Sequence, residues 1–97
     1  MIVISIFGRV VSDPRPLKTQ TGVMRVFFDV ESTDRESLPI RHGVVSFGNL
    51  ADRALDEIRS GDEIFISGRL SAGGAPPRVN VTLSSFEVLK GAPANAD

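Results

Sequence analysis

The segment Val44–Ala51 constrains the fold more than any other stretch, because it reads as a strand that runs directly into a helix. Val45 and Phe47 are β-branched or aromatic residues, which favour a strand. Asn49 follows a glycine and is a good helix N-cap. Apolar residues then recur at helical spacing, at Leu50, Ala54, Leu55 and Ile58. The segment therefore predicts one helix directly after a strand.

Strand-rich sequence lies on both sides of this helix. The predicted elements are strands Ile2–Ser12, Val23–Ser32 and Ile40–Phe47, helix Asn49–Ser60 closed by Gly61, and strands Asp62–Ser71 and Arg78–Leu89. This order predicts an all-β protein, a five-stranded OB-fold Greek-key barrel whose helix lies between the third and fourth strands and plugs one end. We expect residues 1–90 to form this single domain and residues 91–97 to be a short disordered tail.

Several function classes are excluded by composition. The sequence has no cysteine and a single histidine, His42, so neither a disulfide framework nor a metal site is expected. No serine lies in a nucleophile motif, and no glycine-rich loop has phosphate-binding spacing. No apolar run approaches the roughly 20 residues that span a bilayer. We therefore expect a cytoplasmic protein that is not an enzyme and needs no cofactor.

The charge distribution says more than the net charge of −1. Residues 1–28 carry four basic side chains (Arg9, Arg15, Lys18 and Arg25) and one acidic side chain. The following stretch and the helix are mainly acidic. Such a distribution fits a basic face with acidic edges, which favours nucleic-acid binding, and it also fits an ordinary mixed surface.

Alternation along the second and third strands predicts which side chains face solvent. In the second strand, Met24, Val26, Phe28 and Val30 form the core face, and Arg25, Phe27, Asp29 and Glu31 face outward. In the third strand we place Arg41 and Phe47 outward, because an unpaired buried arginine is costly. His42 then lies on the inner face or at an interface. Phenylalanines beside arginines on solvent faces suit single-stranded nucleic acid, and a subunit contact is the alternative.

The first strand is apolar on both faces over its first half, which predicts that a second subunit covers its outer side. Gly8 interrupts this strand and suggests a bulge. In the fourth and fifth strands we expect Ile64, Ile66, Gly68, Leu70, Val79, Val81 and Leu83 to face inward. Phe65 faces outward, where an oligomer contact is the preferred interpretation.

Three segments resemble the bacterial single-stranded DNA-binding protein family. They are Phe7-Gly8-Arg9-Val10-Val11-Ser12-Asp13-Pro14, Val44-Val45-Ser46-Phe47-Gly48-Asn49-Leu50-Ala51 and Gly61-Asp62-Glu63-Ile64-Phe65-Ile66-Ser67-Gly68-Arg69-Leu70. The resemblance implies an OB fold that wraps single strands by base stacking and phosphate contacts and assembles as a homodimer or homotetramer. It also implies that Phe47 is a stacking residue, that Arg41 replaces a tryptophan of many members, and that His42 lies near a subunit interface.

The chain departs from this family in two respects. It has no tryptophan and no tyrosine, and its predicted connection between the last two strands is only Ala72–Pro77. Its last residues, Ala94–Asp97, lack the acidic run and terminal phenylalanine that recruit repair and replication partners in the family. The chain is therefore similar to a short tail-less member, or to a primosomal OB protein that acts mainly through protein contacts.

Two sets of site residues follow from the residues and from the resemblance together. The predicted nucleic-acid-binding residues are Arg9, Arg15, Lys18, Arg25, Phe27, Arg41, Phe47, Arg69 and Arg78. The predicted oligomer-interface residues are Val3, Ser5, Phe7, His42 and Phe65. For Arg69 and Arg78, simple solvated charges are the alternative. The expected partners are single-stranded DNA, further copies of the chain, and replication or primosome proteins, without a membrane.

Overall fold

The structure, a computed structural model, describes residues 1–18, 20–34, 37–73 and 78–90. Its elements are β1 (Val3–Val10), β2 (Arg15–Lys18), β3 (Met24–Asp34), β4 (Ser37–Phe47), α1 (Gly48–Glu57), β5 (Glu63–Gly73) and β6 (Arg78–Lys90). The side chains of residues 18, 33, 34, 37, 38, 73, 78 and 90 and the predicted tail 91–97 lie outside this description.

The strands close into a barrel. They hydrogen-bond in the order β1-β5-β6-β4-β3-β2, and β1 also pairs with β3, which closes the ring. The β4–β6 pair is parallel, and the other pairs are antiparallel. The five long strands form the barrel wall, and one helix lies between the third and fourth of them. This arrangement confirms the predicted all-β OB-fold class.

The first strand is shorter than predicted, and an additional short strand follows it. β1 ends at Val10, where it pairs with Val30 of β3. After Pro14 the chain resumes beside the same neighbour as β2, an edge strand in which Arg15 pairs with Phe27. The sequence predicted no strand between Ser12 and Val23, so β2 was missed. Proline is tolerated in β2 because an edge strand leaves one side of its backbone unpaired.

The helix begins one residue earlier than predicted. Its N-cap is Phe47, which makes no side-chain capping bond, and Gly48 has φ +63°. Asn49 is therefore not the cap. The helix ends at Glu57 rather than at residue 60, and Arg59 Nη1 donates to the backbone oxygens of Leu55 and Ile58. A cation at these carbonyls stabilises the negative end of the helix dipole.

The core lies inside the barrel and under α1. Most of the predicted inward residues are buried: Val26, Phe28, Val30, Val44, Ile64, Ile66, Gly68, Val81 and Leu83, joined by Ile6, Val10, Ala51, Ala54 and Ile58. Met24 and Leu70, also predicted to face inward, are half-buried against this core. The helix packs against β3, β4, β6 and β2. Burial of this apolar set is the main favourable free-energy term of the fold.

Two long hairpins run past the barrel wall. Val79, which we predicted to face the core, is 64% exposed, and Ile40 on β4 is 56% exposed. Both residues lie on the inward-facing side of their strands, but the described part of the chain leaves more than half of each side chain exposed. The β3–β4 hairpin extends to the pair Asp34 and Ser37, so most of residues 33–39, which lie between the second and third predicted strands, are strand.

Gly8 does not form the bulge that we predicted. The β1–β5 register is regular from Val3 to Arg9. A Cβ at Gly8 would lie 2.5 Å from the backbone oxygen of Glu31, so the glycine is required where β1 crosses β3. The register shifts of this part of the barrel lie instead in the β5–β6 pair.

Candidate nucleic-acid interface

The outer face of β2, β3 and β4 brings several predicted binding residues together. In one row across these strands, Arg25 lies between Leu17 of β2 and Phe47 of β4. In the next row, Phe27 lies between Arg15 and Val45. Because residues two apart in a strand share a face, the two rows form one surface, here called the basic–aromatic surface and defined by Arg15, Leu17, Arg25, Phe27, Val45 and Phe47.

The two phenylalanines of this surface are diagonal neighbours across β3 and β4. Phe47 is 43% exposed, and Phe27 is half-buried. Diagonal side chains in an antiparallel pair are roughly 7–8 Å apart, within reach of aromatic rings. Val45 is 8% exposed although it faces outward. The surface therefore has an apolar floor with one ring projecting from it.

Arg25 covers the second ring. Its guanidinium carbon lies 5.3 Å from the centroid of the Phe27 ring, a cation–π distance. The Nε atom of Arg25 is buried and has no hydrogen-bond partner. The surface thus combines an arginine–aromatic contact with a buried guanidinium N–H that has no acceptor.

The other end of the same sheet face is acidic. Asp29 and Glu31 of β3 are half-buried and lie opposite Gly43 and Arg41 of β4. Arg41 Nη2 donates a 2.9 Å hydrogen bond to Asp29 Oδ2 in an ion pair. Arg41 is therefore on the predicted face, but its charge is already partnered.

Arg9 is partnered as well. Its Nη1 donates to the backbone oxygen of Gly61 at 2.8 Å, and its Nη2 lies 3.3 Å from Glu63 Oε1. It also lies opposite Glu31, beside a small cavity of about 120 Å³ that Phe7 helps to line. Arg9 thus sits at the acidic end and not among the residues of the basic–aromatic surface.

Arg69 lies on a different side of the barrel. It is exposed on β5 opposite Val3 of β1, and β6 and β1 separate β5 from β3 and β4. The backbones of Lys18 and Arg78 pair with Met24 and Gly73, but their side chains lie outside the described residues. Lys18 continues β2 beside the basic–aromatic surface, and Arg78 begins β6.

The predicted interface residues of β1 and β5 share one outer face. Phe7 lies opposite Phe65, and the two are 59% and 41% exposed. Ser5 Oγ lies 3.1 Å from Ser67 Oγ. With exposed Val3, these residues define the β1–β5 surface: Val3, Ser5, Phe7, Phe65 and Ser67.

His42 is not part of the β1–β5 surface. It is half-buried on the inner face of β4, opposite Val30, and its Nε2 lies 2.9 Å from Ser32 Oγ. The alternation of β4 predicted either the inner face or an interface for His42. The hydrogen bond gives the histidine a structural partner within the chain.

Sequence reasoning missed Leu17 and the partner of Arg41. Leu17 is 49% exposed and extends the row of Arg25 and Phe47. The alternation in Arg15-Pro16-Leu17-Lys18 is the signal that predicts it, but the two prolines around Arg15 masked the strand. No sequence signal pairs Asp29 with Arg41, because that contact depends on the β3–β4 register.

This arrangement supplies recognition chemistry. An exposed aromatic ring can stack on unpaired bases, and the cations beside it can contact phosphates. Within the described ranges, no group of three or more His, Cys, Asp or Glu side chains is placed to hold a metal ion. No helix in the same ranges is long and apolar enough to cross a membrane.

Comparison with known proteins gives a family and a fold. A model of the single-strand binding protein family matches residues 1–90. The SSB domain of a Synechococcus sp. protein is similar in structure, with a TM-score of 0.78, 23% identity, and coverage of 89% of this chain and 93% of that chain. The mitochondrial single-stranded DNA-binding protein Rim1 of S. cerevisiae matches with a TM-score of 0.83, 13% identity, and coverage of 94% and 96%. A search of curated proteins found no match.

Proposed function

The chain belongs to the single-strand binding protein family, and from this membership we propose that it binds single-stranded DNA with little sequence preference. The family consists of binding proteins rather than enzymes. We assign the contact to the basic–aromatic surface. Bases would stack on Phe47 and Phe27, while Arg15, Lys18 and Arg25 contact phosphates.

One observation carries this assignment. The β3–β4 register sets Arg25 opposite Phe47 and next to Phe27 on one outer face, so two rings and a cation lie within reach of one strand. Stacking tolerates any base because every base has a π-face. A duplex hides these faces, which is why the surface favours single strands.

Protein contacts are the second candidate function. Asp29 and Glu31 lie on the same sheet face, and Arg9 and Arg41 are engaged by carboxylates. The chain also lacks tryptophan and tyrosine. These features favour a replication-restart OB protein that acts mainly through protein partners, with weak affinity for DNA.

We also propose that the chain forms a homodimer or homotetramer through the β1–β5 surface. Its exposed Phe7–Phe65 pair supports this assignment. In the described part of the chain, β1 pairs with β3 only at Arg9 and Val10, and Gly8 lies against Glu31, so the edge from Val3 to Phe7 is open to a second strand. His42 is a further candidate contact. Such an assembly would act in DNA replication, recombination or repair in the cytoplasm, associated with the nucleoid.

A titration tests the choice between the two functions. Labelled single strands and the matched duplex are titrated at two salt concentrations, with light scattering to give the solution mass. Single-strand binding requires a clear preference for single strands over duplex. Equal affinity for both forms, or no affinity for either, contradicts the proposal and favours the protein-contact function.

A further inference from the structure

Two arginines in the described part of the chain stack on phenylalanine rings, and their Nε groups differ. Arg53 of α1 lies 4.9 Å from the Phe86 ring, and its Nε donates to Glu57 Oε2 at 3.1 Å. Arg25 lies 5.3 Å from the Phe27 ring, and its Nε is buried without a partner. The stack on the helix is therefore complete within the chain, and the stack on the basic–aromatic surface lacks an acceptor.

The two contributions at Arg25 oppose each other. A guanidinium over an aromatic ring is favourable, and more so when it is desolvated. A buried donor without an acceptor is unfavourable by a comparable amount. The net free energy that holds the Arg25 guanidinium on the Phe27 ring is therefore small. Any hydrogen-bond acceptor that Nε can reach only by leaving the ring favours the movement of the guanidinium away from Phe27.

Movement of the Arg25 guanidinium away from Phe27 would matter for nucleic-acid binding because of where Arg25 lies. Its guanidinium carbon lies over the ring of Phe27, where a base would have to stack. Arg25 also lies directly opposite Phe47, so a strand stacked on Phe47 brings a phosphate close to it. A phosphate oxygen is a strong acceptor for a guanidinium N–H.

Resting on the single-strand binding proposed above, we propose that Arg25 and a nucleobase exchange on the Phe27 ring. In the free protein the guanidinium occupies the ring and keeps it from other ligands. When a single strand binds, the guanidinium moves to a phosphate, which supplies the acceptor that Nε lacks, and a base of the same strand stacks on Phe27. Arg25 thus competes with the base and contacts the phosphate.

Affinity measurements over a range of salt concentrations separate these two roles. Arg25→Ala removes the phosphate contact, which makes the negative slope of log K against log salt shallower by about 0.7. Over a tenfold rise in salt, the affinity of the wild type falls about fivefold more than that of the variant. The variant also removes the competitor, so we expect it to bind more weakly at low salt and more tightly at high salt. The two lines cross.

Two comparisons isolate the Phe27 ring as the cause. Arg15→Ala removes a cation that lies beside Phe27 but is not stacked on it. Its plot of log K against log salt should therefore approach the wild-type plot at high salt without crossing it. In a Phe27→Ala background the ring is absent, so Arg25→Ala should only weaken binding. A crossing that persists in that background overturns the proposal, and so does wild-type binding that is tighter at every salt concentration.

A measurement on the wild type guards against misfolding of the variants. The Arg25 Nε–H should show a ring-current shift and slow solvent exchange in the free protein, and both should be lost when a short oligothymidine saturates it. The Nε–H of Arg53 is the matched control and should not change. If the oligothymidine binds and the Arg25 signal stays unchanged, the exchange is refuted while the proposed function stands. If nothing binds, the proposed function itself fails.

Discussion

Arg41 Nη2 lies 2.9 Å from Asp29 Oδ2. A carboxylate of β3 therefore holds this arginine at the acidic end of the sheet face that carries the basic–aromatic surface. An exposed ion pair of this kind contributes roughly 0.2–1 kcal/mol, which a phosphate contact can replace. Asp29 thus lowers the positive charge that Arg41 offers to a nucleic acid.

Asp29→Asn should strengthen single-strand binding. The amide keeps the shape of the side chain but releases Arg41, so one more phosphate contact steepens the slope of log K against log salt by about 0.7. The gain in binding free energy should not exceed about 1 kcal/mol. Glu57→Gln, which releases Arg53 on the helix, is the matched control and should leave the slope unchanged. An unchanged slope in Asp29→Asn would place Arg41 off the DNA path.

Phe47→Ala should weaken single-strand binding by roughly 1–3 kcal/mol, because it removes one base stack. The ring is 43% exposed, so the melting temperature should change little. Phe65→Ala is the control, since that ring is 41% exposed on the β1–β5 surface and should leave intrinsic stacking intact. Fluorescence anisotropy with labelled oligonucleotides measures both. Equal losses in the two variants would argue against a stack at Phe47.

Val3→Lys should lower the solution mass if β1 is an oligomer contact, because a charge would then be buried in the interface. Val79→Lys is the matched control: Val79 is 64% exposed and Val3 is 69% exposed, but Val79 lies outside the β1–β5 surface. Light scattering at high micromolar concentration measures the mass of both variants. A monomeric wild type under the same conditions would contradict the proposed assembly.

The wild type should show a log–log salt slope of roughly −2 to −3.5 on single strands, as three to five phosphate contacts require. Arg15→Glu should flatten this slope, since Arg15 is exposed beside Phe27. Arg53→Glu on the helix should not. A wild-type slope near zero, or an equal effect of the two reversals, would mean that the basic face is elsewhere.

Gly8→Ala should lower the free energy of unfolding by about 1–3 kcal/mol, the usual cost of overpacking. The new Cβ would meet the backbone oxygen of Glu31 at 2.5 Å, where β1 and β3 cannot separate without opening the barrel. Gly43→Ala is the comparison, because its Cβ would meet Asn80 Oδ1 at 2.8 Å, the end of a side chain that can rotate away. Urea denaturation should therefore show a much smaller loss for Gly43→Ala.

Local patterning determined a large part of this protein. The two-residue period of a strand places Phe27 and Phe47 on outer faces and Phe28 and Val44 in the core, whatever the neighbouring strands are. The single strand-to-helix junction after Phe47 predicts the OB class. These features depend on residues close together in the chain, so the sequence expresses them directly.

The tertiary structure decided which outward residues share a surface. Alternation turns both Arg25 and Arg69 outward, but only the closing of the barrel sets them on different sides. The β3–β4 register alone brings Asp29 to Arg41. Val79 has the inward phase of its strand and is still exposed, because its hairpin runs past the wall. Strand phase is a local property, whereas register, strand order and strand length relative to the barrel depend on contacts between residues far apart in the chain.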